Sequence, residues 1–160
     1  MAVLFISASD TYPIRHRILR PEKPFEAAQF PNDEFPGVFH LGFKNPQGAL
    51  MSVASFCPEE KLIRGISAGY RLRGMATLAE EQGKGYGAAI LKEAFLILKD
   101  RYGCTALWCN ARLGAVGFYE NLGFTSESEL FEIPTVGPHY VMMKQLGDSL
   151  RPSFCVSVKR

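Results

Sequence analysis

The sequence of 160 residues lacks closely spaced metal ligands, a charge excess and a long apolar run. Its four cysteines include no C-x-x-C pair and its three histidines are scattered, so neither a metal site nor a disulfide scaffold is predicted. A net charge of +2, with both signs interspersed, argues against nucleic-acid binding and against adhesion to a membrane surface. No segment approaches the roughly 20 apolar residues of a membrane-spanning helix. A reducing, cytoplasmic setting is expected.

Length and composition predict a single domain over residues 1–160. Hydrophobic residues make up 47% of the chain, which is enough for a core. The chain is too short for two domains of ordinary size, each with its own core. The apolar residues 1–6 follow no basic leader and predict a strand rather than a signal peptide. Asp10-Thr11, followed by Pro13, predicts the cap and first turn of a short helix. The basic residues in and after this helix are expected to form a solvated face, the alternative being a site for an anionic partner: Arg15, His16, Arg17 and Arg20.

Hydrophobic periodicity predicts a mixed α/β protein. The turn at residues 45–48 joins two apolar extended runs, which is a hairpin signal. Gly74 lies inside a later extended run and predicts a bulge or a splay there. After an irregular loop at 25–37, the predicted strands are 38–43, 49–57, 70–78, 106–109, 124–133 and 139–146, and the predicted helices are 87–102 and 115–122. This order favours a mixed sheet with helices on its faces.

The most informative segment is the glycine-rich turn 82–87, which precedes the long helix. Glycines at alternate positions permit left-handed backbone and close approach of a ligand, and the helix start offers unpaired N–H groups. This combination predicts a pyrophosphate site. A Walker-type loop is excluded because Lys84 is followed by Gly85 rather than by serine or threonine. A dinucleotide fingerprint is disfavoured because Gly83-x-Gly85-x-Gly87 misses the required third spacing.

Four segments of the chain follow one another in the order of a known family's motifs. Residues 75–87 are similar to that family's strand and coenzyme A loop, and residues 108–111 to its next strand with an asparagine. Residues 117–124 match its helix with the FYxxLGF ending, and residues 137–142 the last strand of one bacterial subgroup. Over roughly residues 38–146 the chain resembles a GCN5-related N-acetyltransferase (GNAT). The resemblance implies an α/β GNAT fold with a mostly antiparallel mixed sheet, two splayed parallel strands at the acyl-CoA site and helices on both faces.

The resemblance also implies an activity: transfer of an acetyl group from acetyl-CoA to a primary amine by direct attack in a ternary complex, without a metal. Backbone groups near Met75 and Thr77 are expected to pair with the pantetheine arm, and the amides of residues 83–88 to hold the pyrophosphate. A fixed N–H of Thr77 or Leu78 is expected to stabilise the oxyanion. The implied acetyl-CoA-binding residues are Met75, Thr77, Gln82, Gly83, Lys84, Gly85, Gly87, Ala88 and Asn110.

Three positions are candidates for proton transfer. The resemblance implies that Tyr119 protonates the departing sulfur, the alternative being a core position in an apolar helical stripe. A thiol has a reference pKa of about 8.5 and a tyrosine one of about 10, so this transfer must be coupled to departure of the thiolate. Glu80 and Glu81 are candidates for the base, acting through water on the amine, and at least one of them also fits an ordinary solvated carboxylate.

The acceptor is not identified by the sequence beyond an amine on a small molecule or peptide. Arg73, before Arg71, is predicted to meet an acidic group of the acceptor, with a solvated sheet face as the alternative. His139 is a second candidate acceptor-binding residue, because its ring titrates near neutral pH, and a structural histidine bonded to a backbone carbonyl is the alternative. Asn110 either binds the coenzyme or a water, or only turns the chain. The aromatic residues that either wall the acceptor pocket or pack in the core are Phe39, Phe43 and Phe56.

A covalent acyl-enzyme is not predicted, because no cysteine occupies the acyl position of the motif and Cys109 is expected to be buried. The alternative function is a regulatory or interaction module that binds acyl-CoA without turning it over, since a fold does not guarantee an activity. Tyr119 favours the enzyme. Homodimer formation stays open.

Overall fold

The computed structural model describes residues 3–147. The helices in this range are α1 (Ala8–Ile14), α2 (Tyr86–Tyr102) and α3 (Val116–Asn121). The strands are β1 (Val3–Ile6), β2 (Phe39–Lys44), β3 (Leu50–Ile63), β4 (Ile66–Thr77), β5 (Ala106–Arg112), β6 (Thr125–Ser126), β7 (Phe131–Ile133) and β8 (Gly137–Gln145). The predicted first strand is confirmed from Val3 onwards, whereas Met1, Ala2 and Cys155 lie outside the described residues.

The eight strands form a mixed, mostly antiparallel sheet, as predicted. Parallel pairing joins β4 to β5 at Tyr70 with Leu107 and at Arg71 with Trp108. Both strands continue beyond this short pairing, which is what a splay of two parallel strands requires. By its contacts the described chain divides into two compact units, residues 3–58 with 72–95 and residues 59–71 with 96–147. The single domain over 1–160 stays a prediction.

The first unit contains the antiparallel strands β1, β2 and the start of β3. Its core includes Ile14, Val53 and Ala76, all nearly inaccessible to solvent, with partly buried aliphatic side chains packed around them. Phe39 and Phe56 are buried and stack with ring centroids 4.9 Å apart, which agrees with core packing rather than with a pocket wall.

The N-terminal helix begins earlier than predicted. Ser7 is its N-cap: the Ser7 hydroxyl accepts from the Asp10 amide at 3.2 Å, and the Asp10 carboxylate accepts from the Ser7 amide at 3.1 Å. Asp10-Thr11 was therefore the wrong cap, because this reciprocal capping box satisfies two N–H donors at the helix start. Asp10 is the acidic member of that box, and Pro13 lies inside the helix rather than in its first turn.

The solvated face predicted for the basic residues is wrong at Arg15. A π-helical turn, Arg15–Leu19, continues α1, and Arg15 is fully buried. Its guanidinium donates to both carboxylate oxygens of Asp33, to the Ala28 carbonyl and to the Ser55 hydroxyl. These acceptors compensate for the lost hydration of the charge, and they come from segments far away in the sequence.

The second unit is organised around β8, which pairs with β5, β6 and β7. Its core contains Ile63, Ala68, Ala106, Trp108 and Met143. β5 extends to Arg112, three residues beyond the prediction, because β8 pairs with it along its whole length.

The hairpin between β3 and β4 was not predicted in its turn type. Arg64 and Gly65 both have positive φ, as a tight two-residue turn requires.

The predicted strand 124–133 is wrong in its middle. Only Thr125–Ser126 and Phe131–Ile133 are strands. The Ser128 hydroxyl accepts from the Val141 amide at 2.9 Å, in the place of a backbone carbonyl. A side chain that takes over a ladder hydrogen bond in this way interrupts the backbone pairing on which a continuous strand depends.

Residues 3–147 lack two further features. No helix in that range is long and apolar enough to cross a membrane. The same range holds no group of three or more His, Cys, Asp or Glu side chains arranged to bind a metal ion.

Candidate acyl-CoA and acetyl-transfer site

The glycine-rich turn has the backbone that a phosphate cradle needs. Gly83 and Gly85 have φ of 81° and 86°, in the left-handed region that favours glycine. A Cβ built on either residue would meet no atom within 4 Å. The open space on both sides means that the fold itself does not fill the positions next to these glycines.

The start of α2 follows this turn directly. The Ala89 amide donates to the Gly85 carbonyl at 3.0 Å and closes the first turn of the helix. The amides of Tyr86, Gly87 and Ala88 therefore precede the first intrahelical donor, and the positive end of the helix dipole lies with them. This arrangement suits an anion.

Side chains of the turn connect it to the end of β4 and to each other. Gln82 donates from its side-chain amide to the Thr77 carbonyl at 3.1 Å, so it connects the turn to the end of β4. Lys84 forms an ion pair with Glu81 at 3.0 Å, and this exposed contact raises the pKa of Lys84. Glu80 lies 3.6 Å from Arg17, with both side chains more than half exposed.

The last residue of β4 and the residue that follows it, Thr77 and Leu78, carry the predicted oxyanion donors. The Leu78 amide donates to the Met51 carbonyl at 3.0 Å, so this donor is already used and Leu78 is the poorer of the two candidates. Ser52, which the sequence analysis missed, donates to the Ala76 carbonyl at 3.2 Å and lies 2.7 Å from the Thr77 hydroxyl. The available signal was the pair of serines, Ser52 and Ser55, in the apolar first part of β3.

Gly74 gives β4 the predicted irregularity. Its φ is 62°, and a Cβ there would come within 2.8 Å of Arg15 Nε and 3.2 Å of the Phe30 ring. Arg15 Nε is buried without a hydrogen-bond partner in the described chain. The glycine is required both by its backbone angle and by this close approach.

Arginine side chains converge on Phe30. The guanidinium carbons of Arg15, Arg73 and Arg20 lie 3.9, 4.5 and 5.2 Å from the centre of its ring. The Asp33 carboxylate forms an ion pair with the Arg15 guanidinium. The positively charged groups of Arg73 and Arg20 lie over the same ring. Phe30 was not identified from the sequence, because the contacts join three separate segments.

In the second unit, Arg71 is ion-paired with Glu59 at 3.3 Å and lies over the Trp108 ring at 5.0 Å. The Arg71 guanidinium is therefore engaged by two side chains of the second unit. Asn110 lies inside β5, opposite Val141 of β8, and not at the end of the strand as predicted.

Tyr119 and His139 occupy defined environments in the second unit. Tyr119 is buried between the rings of Phe118 and Phe124, each with its centroid 5.1 Å away. Burial raises the pKa of Tyr119 well above its ordinary value, with a further contribution from Cys109, so the phenol is neutral and protonated. His139 is buried, and its Nδ1 lies 2.7 Å from the Gly137 carbonyl, the contact expected of a structural histidine.

The fold and the turn define an α/β protein with a glycine turn suited to an anion at a helix start, after a strand that contains a glycine at positive φ. The model of the acetyltransferase (GNAT) family matches residues 6–124. The chain is 42% identical over 149 residues to the uncharacterised N-acetyltransferase YitI of Bacillus subtilis strain 168, covering 93% of this chain and 99% of YitI. The chain belongs to the GNAT acetyltransferase family and is an N-acetyltransferase, as the motifs predicted.

Two solved structures establish the same fold. Escherichia coli ElaA matches with a TM-score of 0.72 at 14% identity, covering 91% of this chain and 100% of ElaA. An aminoglycoside 6'-N-acetyltransferase solved with coenzyme A matches with a TM-score of 0.72 at 12% identity, covering 95% of this chain and 99% of the other.

Proposed function

We propose that this acetyltransferase moves the acetyl group of acetyl-CoA to a primary amine in a ternary complex. The observation that carries the proposal is the pair Gly83 and Gly85, both at positive φ with open space where a Cβ would stand, immediately before the start of a 17-residue helix. In a GNAT chain this is the cradle for the pyrophosphate of the coenzyme. The coenzyme A bound to the aminoglycoside acetyltransferase of the same fold supports this choice of cosubstrate.

The cosubstrate is held mainly by backbone groups. The amides of residues 83–88 bind the pyrophosphate, and Gly87 and Ala88 are small enough for its close approach. Met75 and Thr77 present strand backbone to the pantetheine arm, which binds as an added strand would. Gln82 fixes the loop through the Thr77 carbonyl, and Asn110 bonds the coenzyme from β5.

Acetyl transfer forms a C–N bond and breaks the C–S bond of the thioester. The attack builds negative charge on the carbonyl oxygen, which the Thr77 amide stabilises, since the Leu78 amide is used by Met51. Tyr119 donates its proton to sulfur as the thiolate leaves. Because burial raises the pKa of Tyr119 further above the roughly 8.5 of a thiol, proton transfer to the thiolate is uphill by itself. The proton therefore moves while the C–S bond breaks, and acetyl transfer drives both events.

The proton lost by the amine needs a base. Glu81 is engaged by Lys84 at 3.0 Å, whereas Glu80 has only a long, exposed contact with Arg17. The hydrogen bond from Lys84 occupies one Glu81 oxygen, whereas the exposed Glu80 carboxylate can accept a hydrogen bond from a relay water. Glu80, acting through water, is therefore the preferred base.

Direct transfer is preferred to an acyl-cysteine route. Burial raises the pKa of the Cys109 thiol to about 12 and also raises that of Cys104, so both are neutral near pH 7. Cys57 is buried as well. The thiolate, not the thiol, is the nucleophile in cysteine catalysis, and these environments disfavour it.

The acceptor amine carries an acidic group in this proposal. Arg73 and Arg20 both lie against Phe30 and provide positive charge for a carboxylate on the acceptor. His139 is not part of this acceptor site, because it is buried and its Nδ1 lies against the Gly137 carbonyl, which favours the structural role. The cytoplasmic setting and a homodimer remain parts of the proposal without a structural argument.

Release of free thiol from acetyl-CoA, measured across amino acids, polyamines, aminosugars and peptides, tests the proposal. Glutamate and glutamine form a matched pair of amines that differ in one side-chain charge. Turnover with any amine supports the reaction. Faster turnover with glutamate than with glutamine supports the role of Arg73. If acetyl-CoA binds by calorimetry and no amine is acetylated, the result favours the acyl-CoA-binding module over transfer to these classes of acceptor.

A further inference from the structure

A cavity of about 430 Å³ lies at the C-terminal end of α2, within the second unit, and the proposed reaction does not use it. Its walls come from β3, β4, the last turn of α2 and the segment that follows. The volume lies in the range of about 300–1,000 Å³ that is typical of small-molecule sites. The nature of the ligand has to follow from the side chains that line it.

The charged group in the wall is a carboxylate. Glu60 lines the cavity, and the Ser67 hydroxyl donates to one of its oxygens and so orients the group. The carboxylates of Asp33, Glu59 and Glu127 each form an ion pair with an arginine. Among residues 3–147, Glu60 has no such cation. Glu60 is exposed, so its negative charge is hydrated and is accessible to a cation that enters the cavity.

Aromatic faces and a helix end add to this negative potential. The rings of Tyr70 and Tyr102 line the same cavity, with centroids 5.2 Å apart and planes inclined by 52°. The face of an aromatic ring attracts a cation, and the C-terminus of a helix carries partial negative charge. Lys99 and Arg101, the basic residues of the last turn, are not part of the cavity lining.

The lining is unsuited to a metal ion. Its one other soft or ionisable ligand besides the tyrosines is Cys104, whose thiol donates to the Ala106 carbonyl at 3.1 Å. Burial raises the pKa of Cys104, so the thiol stays neutral. A metal site needs several convergent ligands, whereas one carboxylate with two aromatic rings is the chemistry that recognises an organic ammonium group.

We propose that this cavity binds a small alkylammonium ion, with its nitrogen against Glu60 and the rings of Tyr70 and Tyr102. The site is separate from the glycine loop, and its occupation needs neither acetyl-CoA nor acetyl transfer.

Choline and its uncharged carbon analogue, 3,3-dimethylbutan-1-ol, test the proposal as a matched pair. Both are titrated into the full-length protein without acetyl-CoA, with calorimetry for affinity and amide NMR shifts to locate the site. Choline has no N–H to acetylate, so its binding is independent of the proposed reaction. Choline is expected to shift the amides of Ser67, Tyr102 and Thr105, and the alcohol to bind roughly tenfold more weakly or worse.

Glu60→Gln retains the shape of the side chain and an oxygen that accepts from Ser67, and it is expected to weaken choline binding roughly tenfold. Tyr102→Leu removes one ring and weakens binding as well, while Glu132→Gln, outside the cavity, keeps the wild-type affinity. Equal affinities for choline and the alcohol overturn the proposal. Wild-type choline affinity in the Glu60→Gln variant also overturns it, as do amide NMR shifts confined to residues 72–95.

Discussion

Arg15 donates from its two terminal nitrogens to the two carboxylate oxygens of Asp33, at 2.7 and 2.9 Å. The side chains are 0% and 3% exposed, so the pair lies in the protein interior. Removing two charges from water is expensive, and a buried pair persists when its remaining donors and acceptors are satisfied. Ala28 and Ser55 accept further bonds from Arg15, and the Phe30 amide donates to Asp33, so every polar atom of the pair except Arg15 Nε has a hydrogen-bond partner among residues 3–147.

Arg15→Met is expected to destabilise the protein by about 3–5 kcal/mol, because it leaves the Asp33 carboxylate buried without its partner. Urea unfolding at neutral pH measures the change. Arg17→Met is the matched control, since Arg17 follows in the same π-helical turn and has only an exposed contact with Glu80. A loss for Arg15→Met no larger than that of the control contradicts this account of the pair.

The same pair explains what the sequence could and could not predict. Helical period and residue type place Arg15 among polar neighbours, so a solvated face was the natural expectation. Its partners lie 13, 18 and 40 residues away, and no local pattern contains them. The contacts of Phe30 with arginines and of Ser52 with Thr77 were missed for the same reason.

The glycine loop was predictable because its information is local. A left-handed backbone angle depends on the residue itself, and glycine marks it directly in the sequence. The long helix and the hairpin follow from short-range periodicity in the same way. The strand at 124–133 failed because one hydroxyl, that of Ser128, takes over a hydrogen bond to a distant strand.

Gly85→Ala is expected to weaken acetyl-CoA binding at least tenfold, because a methyl group would occupy the space left for the pyrophosphate. Gly48→Ala is a close control: Gly48 also has φ of 86° and open space around its Cβ, but it lies in the β2–β3 turn. Both substitutions carry a similar backbone strain, about 1–2 kcal/mol. Calorimetric titration with coenzyme A distinguishes the two variants. Equal affinities would show that the turn with Gly85 does not hold the pyrophosphate.

Tyr119→Phe is expected to lower kcat about 100-fold or more while the affinity for coenzyme A stays unchanged. The substitution removes only the hydroxyl of a buried ring. Because burial raises the pKa of Tyr119, the wild-type rate should not fall through its ionisation below about pH 9. Tyr140→Phe, on β8, provides a control with the same chemical change. Unaltered turnover in Tyr119→Phe rules out the proposed acid.

Glu80→Gln is expected to reduce kcat roughly 100-fold if Glu80 relays the amine proton, and acceptors with a lower amine pKa should be less affected. Glu81→Gln, next to it in the same 3₁₀ turn, should change kcat less, because Glu81 is engaged by Lys84. Rates measured against pH separate a base from a residue that only binds. If the two variants lose the same activity at all pH values, Glu80 is not the base.

His40 makes stability depend on pH in a defined direction. It is buried, with Nδ1 at 2.6 Å from the Ser55 hydroxyl and Nε2 at 3.1 Å from the Asp33 carbonyl. Burial lowers the pKa of His40 below its ordinary value of 6.5. The unfolded chain therefore binds the proton first, so this contribution to stability is complete above about pH 6.5 and is lost as the pH falls.

His40→Gln keeps a polar group at this position without the titration. Urea unfolding at about pH 7.5 and pH 5.5 should show that the wild type loses more of its free energy of unfolding than the variant does. Asp10 and Glu127 have pKa values lowered below those of ordinary carboxyl groups. Both groups therefore become protonated only at a pH more acidic than that of the two measurements, and they do not affect the comparison. Equal losses in the two proteins would show that His40 is not the group responsible.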